Sequence, residues 1–312
     1  MSERSRELPR RSVLAVPGSS DRFLHKAPSI DADMFLLDLE DAVVPAEKAA
    51  ARGRVAGAIR ELDFGERIVA VRLNGWSTPY TLRDALEVVG AAGARLDLVM
   101  LPKVESAGQV VALDLLLSQV EAEAGLPVGR TGVEVQIESA LGLAHLSEIC
   151  AASPRIEAVV LGPVDLAASL GMPMLTGGDV PEDYPGDHYH AVHLALVVAA
   201  RVQGIQVIDG PYLRLDDPAG LAMRARRTRA LGFDGKWAIH PDQVPALNAI
   251  FSPDPTQVAR AEAILAALET AEADEGRGAL RNEGEMLDEA SRKMALAIVA
   301  RAGRSDRVSP GR

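Results

Sequence analysis

Gly132-Val133-Glu134-Val135-Gln136-Ile137-Glu138 and Ala158-Val159-Val160-Leu161-Gly162-Pro163-Val164-Asp165 decide how this chain reads. The first is an apolar run of strand length that ends on an acid, and in the second the run Ala158–Pro163 is followed by Asp165. The same unit recurs upstream as Ser12–Pro17, Met34–Glu40, Ile68–Asn74 and Leu96–Pro102, and downstream as Ile205–Asp209 and Lys236–His240. Between most of the runs lie Ala/Leu/Arg-rich stretches of helical periodicity, such as Pro45–Arg60 and Ala107–Ala124. Alternating β and α units with continuously apolar strands point to a parallel sheet covered by helices, and eight units are the number that closes a barrel. A doubly wound open sheet is the alternative. Two features favour closure: Gly18-Ser19-Ser20 after the first run is only a turn and no dinucleotide fingerprint, and polar residues sit at nearly every run's end. Those residues are Asp38, Glu40, Arg72, Asn74, Lys103, Glu138, Asp165, Asp209 and His240. In a barrel such strand ends converge on one mouth. The expected architecture is a (β/α)8 TIM barrel over residues 1–250, with a lid-like loop at 172–190 in which Thr176–His190 is rich in Gly, Pro, Asp and His. A C-terminal helical extension is expected over 251–312. Within that extension Thr256–Ala273 and Asp288–Ala302 read as helices, Asp274–Gly284 as a polar linker and Gly303–Arg312 as a basic tail.

The bulk composition agrees. Of 312 residues 48% are hydrophobic and 25% charged, enough for a large core, and aromatics make up only 4%. A net charge of −11 argues against nucleic acid or an anionic membrane as partner. The one cysteine, Cys150, excludes an internal disulfide and a thiolate cluster. With no signal peptide and no bilayer-length apolar run, a cytoplasmic protein is expected.

Glu138 and Asp165 stand just past consecutive strands. Neighbouring strands lie about 4.8 Å apart, so both carboxylates can reach one ion, and two carboxylates plus waters and substrate oxygens are the usual Mg²⁺ environment. The competing reading is that each acid caps the helix that follows it. Asp38, Glu40 and Asp41 could hydrogen-bond metal-bound waters, or simply decorate a helix N-terminus. Arg72 ends an apolar strand, where a cation is costly unless paired; its planar fork fits a carboxylate or an enolate oxygen, and a bridge to Glu40 or Glu138 is the alternative. Lys103 is a weaker candidate that could tether a neighbouring acid. Arg22 and Lys26, four apart on a short helix, could meet phosphates or face solvent. His188, His190 and His193 lack an acidic or cysteine partner at a familiar zinc spacing. No serine nucleophile elbow or catalytic cysteine is found, and no lysine reads as lying inside an apolar strand.

RSVLAVPG (Arg11–Gly18), LLDLEDAV (Leu36–Val43), VRLNG (Val71–Gly75), LPKVES (Leu101–Ser106), QIESALGL (Gln136–Leu143), LGPVDLAASLG (Leu161–Gly171), IDGPY (Ile208–Tyr212) and GKWAIHPDQV (Gly235–Val244) occur in this order. Together they resemble the citrate lyase β-subunit-like proteins of the HpcH/HpaI aldolase superfamily, a group that includes malyl-CoA, β-methylmalyl-CoA and citramalyl-CoA lyases. The resemblance implies a Mg²⁺-dependent barrel that works as a homotrimer or hexamer. It implies Glu138 and Asp165 as metal ligands, Arg72 as the substrate-binding arginine, and Arg22 and Lys26 as contacts to CoA phosphates. It also implies that Asp288, in Gly284-Glu285-Met286-Leu287-Asp288, reaches a neighbouring subunit's site as acid or base. The reaction implied is cleavage or formation of a 3-hydroxyacyl-CoA, with acetyl-CoA and a 2-oxo acid (glyoxylate or pyruvate) as the other partners. Alternatives are hydrolysis of a malyl-CoA-type thioester, or a citrate lyase β subunit acting on an acyl-carrier-protein thioester. The sequence departs from the pattern at Glu285, where relatives often carry a base, and at His190 and His193, where many carry Arg or Ser.

Overall fold

A computed structural model describes residues 3–176, 184–275, 278–282 and 284–308. The chain forms two compact units, Met1–Phe251 and Ser252–Arg312.

In the first unit eight parallel strands close on themselves in sequence order: β1 (Ser12–Pro17), β2 (Met34–Asp38), β3 (Ile68–Arg72), β4 (Leu98–Leu101), β5 (Gly132–Ile137), β6 (Ile156–Leu161), β7 (Gln206–Asp209) and β8 (Gly235–Ala238). Closure is made by Ser12, Val13 and Leu14 of β1 against Lys236, Trp237 and Ala238 of β8. The strands are shorter at their ends than the apolar runs. Glu40, Asn74, Glu138, Pro163 and His240 all lie past the last paired residue, in the turns that leave the barrel. That offset puts them at the mouth rather than in its wall.

Strand alternation sorts the buried residues into two layers. Leu14, Phe35, Leu37, Val69, Val71, Val99, Val133, Val135, Val159 and Val207 join one apolar core with the surrounding helices. Their neighbours Val13, Met34, Leu36, Ile68, Ala70, Leu98, Met100, Val160 and Ile208 are equally buried and fill the barrel interior. Cys150 is buried and its thiol is pushed up to about 12 by burial, an inert side chain. The lid-like segment expected at 172–190 falls in part outside the described residues, which resume at Tyr184 and lead into the helix His190–Gln203.

The second unit pairs the helices Pro255–Glu275 and Glu289–Val308. The stretch read as a linker contains structure: Leu280–Asn282 (β9) pairs antiparallel with Glu285–Leu287 (β10) around Gly284, whose φ of 90° suits the turn. The last helix runs to Val308, through part of what reads as a basic tail. No helix among the described residues is long and apolar enough to cross a membrane.

Candidate active site

Arg72 enters the barrel interior on the same face as Ile68 and Ala70. Its Nε and Nη2 donate to Asp38 Oδ1 and Oδ2 at 2.8 and 2.6 Å, a two-pronged pair between adjacent strands. Its Nη1 lies 2.9 Å from Glu40 Oε2 and 3.6 Å from Asp41 Oδ2. The guanidinium also stacks over the Trp237 ring, 5.3 Å from its centre. Asp38 accepts further from the backbone N–H groups of Glu40 and Ala42, so its oxygens are fully engaged in holding Arg72 and the turn after β2. Burial alone would raise its carboxyl, but the charge and hydrogen bonds of Arg72 outweigh burial and hold it below the ordinary range. The Arg72 pairing expected with Glu40 is present; an interaction with Asp38 takes the place of one with Glu138.

Glu138 follows β5, on the face shared by Glu134 and Gln136. It does not cap the next helix. Ser139 does so, its Oγ accepting from Gly142 N. The oxygens of Glu138 instead accept from Lys103 N at 2.8 Å and from Gln136 Nε2 at 2.9 Å. Burial pushes its carboxyl up to about 8, and the charges of Glu40 and Asp165 add to that. Asp165 lies in the first turn of the helix Pro163–Ser169, whose N-cap is Gly162. Gly162 is required by close approach: a Cβ there would strike Glu138 Oε2 and Cβ.

These groups share one cavity of about 480 Å³ at the mouth. Asp38, Asp41, Arg72, Gln136, Glu138 and Asp165 supply its polar wall; Pro17, Pro163, Pro211, Trp237 and Ile239 are among its apolar residues. The size suits a small ligand. Among the described residues no three His, Cys, Asp or Glu side chains converge as a metal cage. Two carboxylates on one cavity fit a different kind of site, that of a hard cation which keeps waters and substrate oxygens in its remaining positions. A buried carboxyl that faces two other acids is disfavoured as an anion until a cation arrives. Glu138 is in that position.

Arg22 and Lys26, on the helix Asp21–Lys26, line a second groove of about 320 Å³ with Phe23, Ile30, His240 and Asp242. That groove shares Ala15, Val16, Pro17 and Ile239 with the mouth cavity.

Asp209 departs from expectation. It shares the outward face of β7 with Val207 and binds Lys236 Nζ at 2.6 Å in the layer between strands and helices. Lys236 is therefore a buried lysine inside a strand, one that the sequence reading passed over, and its ammonium is committed to Asp209 and the Gly210 carbonyl. Of the three histidines, His193 is buried with its ring nitrogens 3.7 Å from Asp187 and Asp209, His188 packs at a tilt against Tyr189, and His190 is exposed. Gln136 and Trp237 were also missed. The period-two placement of Gln136 before Glu138 was a usable signal; nothing in the sequence marked Trp237.

Asp288 lies in the second unit. It is exposed and caps the last helix, its Oδ1 accepting from Ala290 N at 2.9 Å and Ser291 N at 3.1 Å. Glu285 is paired with Arg260 at 2.8 Å.

Residues 11–241 match the profile of the HpcH/HpaI aldolase/citrate lyase family. The L-malyl-CoA/beta-methylmalyl-CoA lyase of Cereibacter sphaeroides is 43% identical over 305 residues, 94% of this chain and 95% of that one. The citrate lyase subunit beta of Leuconostoc mesenteroides subsp. cremoris is 34% identical over 294 residues, 92% of this chain and 93% of the relative. Among solved structures, protein CitE from Mycobacterium tuberculosis, in complex with magnesium, acetoacetate and coenzyme A, superposes with a TM-score of 0.75 at 32% identity, covering 95% of this chain and 99% of the other. The barrel, the ordered motifs and these likenesses together mean that the chain belongs to the HpcH/HpaI aldolase/citrate lyase family and is a carbon–carbon lyase.

Proposed function

We propose that this enzyme uses Mg²⁺, held by Glu138 and Asp165, to cleave or form a 3-hydroxyacyl-CoA such as malyl-CoA or citramalyl-CoA, with acetyl-CoA and glyoxylate or pyruvate as the other partners. The observation that carries the reading is the shared cavity: Glu138, Asp165 and Arg72 all line it. The names of the relatives, malyl-CoA lyases and a magnesium- and CoA-bound CitE, support the choice of metal and substrate class.

Mg²⁺ supplies a Lewis acid for the substrate's oxygens. The protein's part begins with Arg72. Asp38 takes its Nε and Nη2, Glu40 faces Nη1, and a guanidinium's five donors leave N–H groups for a substrate oxygen. In cleavage the hydroxyl proton passes to solvent water, the oxygen's electron pair becomes the carbonyl of the 2-oxo acid, and the Cα–Cβ bond breaks with its electron pair forming the thioester enolate. Arg72, fixed by Asp38 before substrate arrives, stabilises the enolate oxygen without reorganising. Asp288 of a neighbouring subunit protonates the enolate carbon; in synthesis it removes the same proton. Arg22 and Lys26 meet the CoA phosphates along the adjoining groove. Asp38 and Glu40 orient Arg72, and Asp41 orients the waters of the mouth. Sharing of Asp288 makes a homotrimer or hexamer the working form.

The test is an assay of the purified protein on malyl-CoA and citramalyl-CoA with Mg²⁺ and with chelator. Acetyl-CoA plus glyoxylate or pyruvate, lost on chelation, is the expected result. Free CoA with intact malate means a thioesterase, and activity only on an acyl-carrier-protein thioester means a citrate lyase subunit. For Asp288, an Arg72→Met protein mixed and reassembled with an Asp288→Asn protein regains part of the activity. Absence of any rescue confines each site to one chain.

A further inference from the structure

Among the described residues Lys103 is the one non-glycine residue with a left-handed backbone, φ 53°. Holding an ordinary side chain there is unfavourable, so the surrounding structure must enforce it. Pro102 precedes it, and Val104 N donates to the Gln136 carbonyl on β5 at 3.3 Å. What the conformation achieves is a division of labour within one residue. The amide N–H points to β5 and donates to Glu138 Oε1 at 2.8 Å. The side chain points the other way, toward the turn after β2, where Nζ donates to Glu40 Oε1 at 2.6 Å and lies 3.5 Å from Asp41 Oδ1. The other oxygen of Glu40 faces Arg72 Nη1 at 2.9 Å. Glu40 is thus gripped between two cations, and the turn that carries it is held from behind by Lys48 Nζ, which donates to the carbonyls of Leu39 and Glu40, both at 2.7 Å.

We propose that Lys103 is a positioning residue that sets both halves of the site at once, Glu138 through its backbone amide and Arg72 through its ammonium acting on Glu40. Lys103 does not line the mouth cavity, so its effect passes through those two side chains. The proposal rests on reading Glu138 as a metal ligand and Arg72 as the oxyanion partner. It deepens that reading by naming the residue that keeps the two in register.

The experiment separates the two arms with full-length variants, reading Mn²⁺ affinity directly by electron paramagnetic resonance and kcat and KM on malyl-CoA. Lys103→Met removes the ammonium and keeps the amide: kcat falls ~10–100-fold, the size expected for loss of an outer support, KM changes little, and Mn²⁺ affinity stays within about 3-fold. Lys103→Arg, which keeps a cation, restores most of kcat. Lys103→Val cannot adopt positive φ without strain, so its amide swings away and Mn²⁺ affinity falls ~10–100-fold as well. Lys103→Gly adopts it freely, binding Mn²⁺ as the parent does while turning over like Lys103→Met. A Lys103→Met enzyme with undiminished kcat overturns the ammonium arm, and equal Mn²⁺ affinity in the Val and Gly variants overturns the amide arm. If Lys103→Val does not fold, Lys103→Ala replaces it, with weaker Mn²⁺ binding than Lys103→Gly expected and equality overturning the arm. Glu138→Ala serves as the reference. Unchanged Mn²⁺ affinity there sinks the metal reading and the amide arm together, while the ammonium arm is still judged on kcat.

Discussion

The two ends of the barrel hold the same kind of group in different settings. At the base Arg10, fully buried, lies 2.6 Å from Glu157 Oε2 and 3.0 Å from Glu134 Oε1, with Ser5 Oγ donating to Glu157 from the helix Glu3–Glu7. At the mouth Arg72 and Lys103 pair with Asp38, Glu40 and Asp41, and Arg72 shares an open cavity with Glu138 and Asp165. Each end has more acids than cations. The base resolves the excess with a proton: burial, opposed by Arg10 and helped by Glu157, pushes Glu134 up to about 7. At the mouth burial raises Glu138 in the same way, but there the cavity leaves space for a cation to take the proton's place. A buried arginine among carboxylates is therefore no mark of catalysis by itself; the accompanying cavity distinguishes one end from the other.

The largest expected contrast comes from matched changes on one face of β5. Glu138→Ala lowers kcat by ~10⁴-fold, about 5.5 kcal/mol of transition-state stabilisation, with the circular dichroism spectrum and melting temperature retained. Glu134→Gln, two pleats below, leaves kcat within ~3-fold, since only a contact with the reacting groups carries an effect of the larger size. Comparable losses in the two variants would erase the functional distinction between the ends. Next in size is Arg10→Met. Removing one partner of a buried charge group typically costs about 3–5 kcal/mol, here because Glu157 is left without its cation. Urea denaturation reads the loss, and kcat per folded molecule stays unchanged. If kcat falls in step with stability in that variant, the base is coupled to the chemistry and the comparison is wrong.

How much of this contrast the sequence disclosed depends on the residue. Eight units, the barrel and the acids at the mouth were legible because each unit repeats and because a polar residue ending an apolar run has few places to go. Facing was harder. Parallel strands are buried on both sides and read as continuous apolar runs, so nothing marked Asp209 and Lys236 as outward or Trp237 as inward. Glu134 escaped for a related reason: an acid in the lower half of a strand needs Arg10 as partner, and Arg10 is far away in sequence, ahead of β1. The β9–β10 hairpin was missed because strands of three residues are too short to show a period.

The smallest effect is the most selective. Glu134 has an ordinary value of 4.5 and sits near 7 in the folded protein. Below pH 4.5 the carboxyl is protonated in both states and contributes nothing. Between pH 4.5 and 7 the unfolded chain ionises while the folded one keeps its proton, so the unfolded state binds fewer protons and stability falls as pH rises. Above pH 7 both are ionised and the penalty is constant, on the order of 3 kcal/mol at about 1.4 kcal/mol per unit. Asp38 at the mouth tilts the other way: its depressed carboxyl stabilises the fold throughout this window and loses that contribution only in acid, below its ordinary 3.8. Glu40 and Glu138 are raised as Glu134 is, so the slope of the parent alone mixes the two ends. Subtracting the Glu134→Gln stability curve from the parent's cancels the mouth, since both proteins share it. The difference should decline steadily from pH 4.5 to 7 and then level. Parallel curves would mean that Glu134 ionises as readily as a solvated acid and that Arg10 compensates it fully.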